Sequence, residues 1–137
     1  RLTYGYITQG MLEIDGYLYK HAQKWVDALR KLTERCDQGH RCLSADERAF
    51  TGVPLPQSLY VDFPDGSKTR QAGIDQSLAL LNWTDEKQVI AVNRARLGHD
   101  GPVQAENFWT GETETFDGEF VVKTLEPRSA LLYDIRT

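Results

Sequence analysis

Only two cysteines, one methionine and three histidines occur among the 137 residues, and each scarcity removes a class of protein. Two thiols cannot build the disulfide framework on which small secreted scaffolds depend. Cys36, His40 and Cys42 fall short of the four ligands of a structural zinc site, and His21 and His99 stand far from them in the chain. The two cysteines flank Asp-Gln-Gly-His-Arg. They read first as structural thiols, next as a short disulfide loop, which would need an oxidising compartment, and last as metal ligands. No metal and no cofactor is expected.

A surplus of positive charge is missing as well. The ten Arg and six Lys are scattered and the net charge is −4, so nucleic acid is not an expected partner. No apolar run approaches the ~20 residues of a membrane-spanning helix, and no membrane partner is expected. The N-terminus carries no signal-peptide pattern. The chain starts at Arg1 and its single methionine is Met11, which points to a processed or excised piece of something longer. Neither a Gly-rich phosphate loop nor a serine in a G-x-S-x-G setting occurs, and there is no internal repeat.

What is present divides into two parts. Met11-Leu12-Glu13-Ile14 is too short for a helix and is stopped by the Asp15-Gly16 turn pair, so it reads as a buried strand. From about Lys20 the period changes. Trp25, Val26, Leu29, Leu32 and Cys36 form one apolar stripe, with Lys24, Asp27, Arg30, Lys31 and Glu34 opposite; this predicts an amphipathic helix over residues 20–36. Gly39 stands where such a helix stops. Gly52, Pro54 and Pro56 then break the chain, and a boundary near 50–57 separates a leader, 1–50, from a second unit, 51–137.

Beyond the boundary, turn signals recur about every eight to twelve residues. Leu59, Val61 and Phe63 alternate before Pro64-Asp65-Gly66. Segments at 77–83, 89–92, 103–109, 113–116, 120–125 and 130–135 follow with strand-forming composition. Asp117-Gly118 is a tight-hairpin signal. The expected fold is mainly β, an antiparallel β-sandwich of about seven strands preceded by a helical leader segment.

Three ordered motifs then carry a resemblance. Leu80-Leu81-Asn82-Trp83-Thr84-Asp85, Phe108-Trp109-Thr110-Gly111-Glu112 and Leu125-Glu126-Pro127-Arg128-Ser129-Ala130-Leu131-Leu132 resemble the C-terminal β-sandwich of α-galactosidase-like glycoside hydrolases. In that family a W-T-G-E turn joins two strands, and the last strand follows L-x-P-x-S/G-x-x-L-L. Gly10-Met11-Leu12-Glu13-Ile14-Asp15-Gly16 is similar to the family's eighth barrel strand, which makes the helix over 20–36 the eighth barrel helix. The segment 40–76 matches least. One departure stands out: the family's pattern has Ser where this chain has Asp15, and Asp where it has Tyr17. Either the sugar contact is remodelled or galactose is not bound in the usual way.

The resemblance implies a non-catalytic C-terminal region of an enzyme acting on α-galactosides or related α-glycosides. Its partners are then the parent's catalytic (β/α)8 barrel, which the sandwich packs against and stabilises, and carbohydrate. Retaining glycosidases use two carboxyl groups on barrel strands; in this family those come from earlier strands, so no catalytic residue is assigned to this chain. Asp15 and Tyr17 would face the active-site mouth, or form a plain turn. Trp109 could stack on a sugar ring, or serve as a core aromatic between sheets. Two other readings stand beside this one: a free-standing carbohydrate-binding module, and a protein-interaction sandwich. In the latter, Tyr4, Tyr6, Tyr17 and Tyr19 of the leader would form an exposed patch able to join two copies as a homodimer.

Overall fold

A strand buried along its whole length must be covered on both faces, and one segment here meets that condition: all six residues of Gln76–Leu81 are buried. A computed structural model of the chain describes Thr3, Ile7 and residues 23–35, 42–45 and 55–137. Asp15, Tyr17, Cys36, His40, the Met11–Ile14 segment and the leader tyrosines lie outside the described residues. Within them the chain forms a helix, α1 (Gln23–Arg35), and strands β1 (Leu43–Ser44) and β2 (Ser58–Asp62). A short helix follows, α2 (Lys68–Gln71). Then come β3 (Gln76–Leu81), β4 (Gln88–Asn93), a 3-10 turn (Arg94–Leu97), β5 (Val103–Asn107), β6 (Thr113–Phe116), β7 (Phe120–Leu125) and β8 (Ala130–Arg136). The mainly β expectation is borne out, and each strand segment expected beyond the boundary is matched by one of β2 to β8. The very short β1, on the leader side of the expected boundary, was not anticipated.

The strands pair antiparallel throughout, as a six-stranded sheet in the order β1-β2-β3-β8-β5-β6 and a two-stranded ribbon, β4-β7. Alternation sends Leu78 and Leu80 of β3 toward the ribbon, where they pack with Ile90, Val92, Val121 and Leu125. It sends Ala79 and Leu81 the other way, into a second core with Leu59, Val61, Phe63, Leu132, Ile7 and Leu32 of α1. The molecule is thus layered as ribbon, sheet and helix. Full burial of β3 follows from its place between two cores, each side chain removed from water contributing about 1.5–3 kcal/mol for Val, Leu or Ile.

Leu32 is the one fully buried residue described for α1, and its neighbours on the docked face are charged. Arg35 Nη1 lies 2.7 Å from both carboxylate oxygens of Asp134, a β8 residue only 1% exposed. The Ser77 hydroxyl donates to the same carboxylate at 3.1 Å. Lys31 Nζ donates to the Phe108 carbonyl at 3.2 Å and sits 4.1 Å from the Phe108 ring centroid. Attachment is therefore concentrated in the last turns of the helix. Trp25 lies on the apolar stripe but in the first turn, where it is 47% exposed with Lys24 over its ring.

Two connections are held by single side chains. Asn82, 4% exposed, donates through Nδ2 to the carbonyls of Glu86 at 2.8 Å, Leu125 at 3.2 Å and Glu126 at 2.9 Å. Its Oδ1 accepts from the Thr84 backbone and hydroxyl. Asp117-Gly118 does not close a hairpin: β6 pairs with β5, β7 pairs with β4, and the segment carries the chain from sheet to ribbon. Arg94 pins that corner, with Nη1 donating to the Gly118 carbonyl at 2.6 Å and its backbone N–H to the Glu119 carbonyl at 2.9 Å. The local turn signal contains none of these distant partners.

Arg35→Ala strands a buried carboxylate and is expected to cost about 3–5 kcal/mol, whereas Arg35→Met combined with Asp134→Leu should be close to neutral. Urea denaturation of the two variants checks both values. Asn82→Ala, by leaving buried carbonyls unpaired, should lower the same midpoint by an amount equivalent to about 3 kcal/mol; a loss below about 1 kcal/mol contradicts its role as a hub.

Candidate functional site

The W-T-G-E segment forms the loop between β5 and β6, and Asn107 organises it. The Asn107 Oδ1 accepts from the backbone N–H groups of Trp109 at 2.9 Å and Thr110 at 3.1 Å. Its backbone N–H donates to the Glu112 carbonyl at 2.7 Å, and its carbonyl accepts from Gly111 at 2.8 Å. Gly111 adopts φ +77°, a left-handed conformation that favours glycine and explains the residue's place in the motif. Trp109 is half-buried, meets Phe108 edge-to-face at 5.0 Å, and packs against the sheet–helix core. Its indole N–H donates to the Thr3 hydroxyl at 3.2 Å. The ring therefore links the hairpin to the leader.

The other two motifs meet each other. Besides the Asn82 bonds to the Leu125 and Glu126 carbonyls, the Asn82 N–H donates to the Ser129 carbonyl and the Arg128 N–H to the Thr84 carbonyl. Arg128 has φ 54°, unusual for a side-chain-bearing residue, and its Nε donates to Asp85 at 2.8 Å. Trp83 donates its indole N–H to the Pro56 carbonyl at 2.7 Å. Both tryptophans of the motifs thus have their N–H groups occupied inside the molecule.

A polar cleft of about 170 Å³ opens beside the same hairpin, lined by Asn107, Glu112, Thr113, Glu114, Lys123 and Tyr133. Lys123 Nζ reaches Glu114 Oε1 at 2.6 Å. Burial, with Glu114 and Glu112 adding their charge, pushes the Tyr133 hydroxyl up to about 12. Alternation along Thr113-Glu114-Thr115-Phe116 could have flagged this cleft, because Glu114 must share a face with Phe116, which is core. On the opposite side, burial lowers the Lys31 ammonium from its ordinary value, with Asp134 working against that shift. Burial pushes the Cys42 thiol up, and Cys42 is free. Among the described residues no three His, Cys, Asp or Glu side chains converge as metal ligands.

No family profile and no curated protein matches the sequence. Solved structures do match in three dimensions. A Bacillus halodurans C-125 protein assigned as an α-N-acetylgalactosaminidase superposes on 98% of this chain with a TM-score of 0.74 at 13% identity. The GH27 β-L-arabinopyranosidase of Geobacillus stearothermophilus superposes on 99% with a TM-score of 0.73 at 16% identity. The fold is that of a portion of these enzymes. The chain spans only 30% and 29% of their respective lengths. An Arthrobacter globiformis T6 isomalto-dextranase in complex with panose gives 0.64 at 15% identity, with 98% of this chain covering 22% of that one. At these identities the likeness is one of architecture.

The raised Tyr133 value predicts a pH dependence. The folded state favours the neutral phenol, so its contribution is fully present below the ordinary value of 10 and is lost as pH rises through about 12. Phenolate absorbance of the folded chain should show a tyrosine titrating late, and Tyr133→Phe should remove that step. Titration of Tyr133 at its ordinary value would contradict its burial beside two carboxylates.

Proposed function

We propose that the chain is the non-catalytic C-terminal part of a glycoside hydrolase, residues 1–50 completing a (β/α)8 barrel and residues 51–137 forming the sandwich packed against it. The observation that carries this reading is the asymmetry of coverage: 98–99% of this chain corresponds to only about 30% of the Bacillus halodurans and Geobacillus stearothermophilus proteins. The docking of α1 on the outer face of the six-stranded sheet supports it, because the barrel's last helix would then tie barrel to sandwich through Leu32 and Arg35. Two of the enzyme names refer to N-acetylgalactosamine and L-arabinopyranose, which share galactose's configuration at C3 and C4. That supports α-galactosides or closely related glycosides as the parent's substrates.

In this reading Asp15 and Tyr17 belong at the sugar-binding mouth formed by the barrel. Trp109, whose N–H bond to Thr3 braces the hairpin against the leader, is the third candidate contact with the sugar. Catalytic carboxylates belong to the rest of the barrel.

Two measurements test the proposal together. The coding sequence upstream of Arg1 should specify alternating strands and helices of a barrel, and the 137-residue chain alone should not hydrolyse aryl α-galactosides above buffer. Turnover by the purified chain, or an upstream sequence with no barrel pattern, would sink the reading; the latter would favour a free-standing module.

A further inference from the structure

The inner face of the six-stranded sheet changes character at one end. Phe116 of β6 is core, yet Glu114, two residues earlier, shares its face, and Glu112 of the preceding loop lies beside it in the cleft. The register places Glu114 opposite Ala105 and Asn107 opposite Tyr133. Inner faces of a sandwich alternate apolar residues inward, so a run of Glu114, Asn107 and the Tyr133 hydroxyl breaks the rule that shapes the rest of this fold. Departures of that kind concentrate at sites that do something other than hold the chain together.

The result is the polar cleft described above, enclosed by Lys123 of β7 and large enough for about five waters. Its groups are fixed before any ligand arrives. Asn107 spends its carbonyl oxygen on Trp109 and Thr110, which orients the amide and leaves its NH2 as a donor. Lys123 forms an ion pair with Glu114 at 2.6 Å, and the exposed Glu112 carboxylate stands at the rim. An anion is opposed by two carboxylates. A metal cation is opposed by the ammonium against Glu114 and by the want of a third acidic ligand. An apolar ligand has too few apolar walls. A compact neutral molecule rich in hydroxyls fits, since carboxylates accept from neighbouring hydroxyls while Lys123 and Asn107 donate.

We propose that this cleft, between the W-T-G-E hairpin and β7, binds a single neutral sugar ring through Glu112, Glu114, Lys123, Asn107 and Tyr133. The hydroxyl-rich class follows from the lining alone; the choice of a galacto-configured pyranose rests on the glycosidase reading. The site is small and shallow, so a dissociation constant of about 1–10 mM is expected.

The test is an amide-resolved NMR titration of the 137-residue chain with methyl α-D-galactopyranoside and, separately, with calcium chloride. Saturable shifts at Glu112, Glu114, Lys123 and Tyr133 with the sugar, and none with calcium, support the proposal. Glu112→Gln, at an exposed position where the fold is not at risk, should weaken binding about tenfold by removing a charged acceptor. Thr124→Ala, exposed on the next strand position of β7, should leave binding unchanged. Absence of saturable shifts, shifts confined to Trp109 and its surroundings, a response to calcium alone, or an unaltered constant in Glu112→Gln would each overturn it. These readouts do not depend on what lies upstream of Arg1, so the cleft and the domain assignment can fail separately.

Discussion

The Asp134 carboxylate is the constraint around which the rest of the structure is arranged. It sits within β8, against β3, on the face that packs into the sheet–helix core, where burying an unpaired charge is costly. Arg35 supplies the charge and Ser77 a hydroxyl. Because Arg35 belongs to the last turn of α1, the helix has one seat on the sheet. A wholly apolar contact would allow sliding; this one specifies position, at the cost of desolvating two ions.

The same division of labour recurs elsewhere. Apolar burial supplies the bulk of the stabilisation, while a few buried polar groups decide which segments meet. Asn82 binds the turn after β3 to the end of β7, and Arg94 holds the corner where the chain leaves the sheet for the ribbon. Gln76 does likewise between Asp62 and the Leu97 carbonyl, at 2.7 and 2.9 Å. Each of these side chains bonds to residues distant in sequence. The small ribbon needs such anchoring, because its outer face carries exposed Val89, Phe120 and Val122 and gains little from burial there.

Functionally, the two faces of the large sheet are unlike. One receives the helix and, through Trp109 and Thr3, the leader. The other meets the ribbon and ends in the polar cleft beside the W-T-G-E hairpin. Asn107 belongs to both, since its oxygen shapes the hairpin that carries Trp109 while its amide lines the cleft.

Alternation and turn residues were enough to read off β2 to β8 and the mainly β class, because pleating and chain reversal are local properties. The three ordered motifs also stood in the sequence, and the resemblance they carry agrees with the fold that the chain shares with part of the matched enzymes. Local pattern could not say that Asp117-Gly118 joins two sheets, since a tight turn and a crossing differ only in which strands pair. Nor could it say that Arg35, an ordinary cation at a helix end, faces a buried carboxylate ninety-nine positions away. Asp134, Asn107 and Glu114 acquired their roles only when strand order and register brought their partners within hydrogen-bond distance. Periodicity along a chain encodes which face a residue takes, and only tertiary packing decides what that face meets.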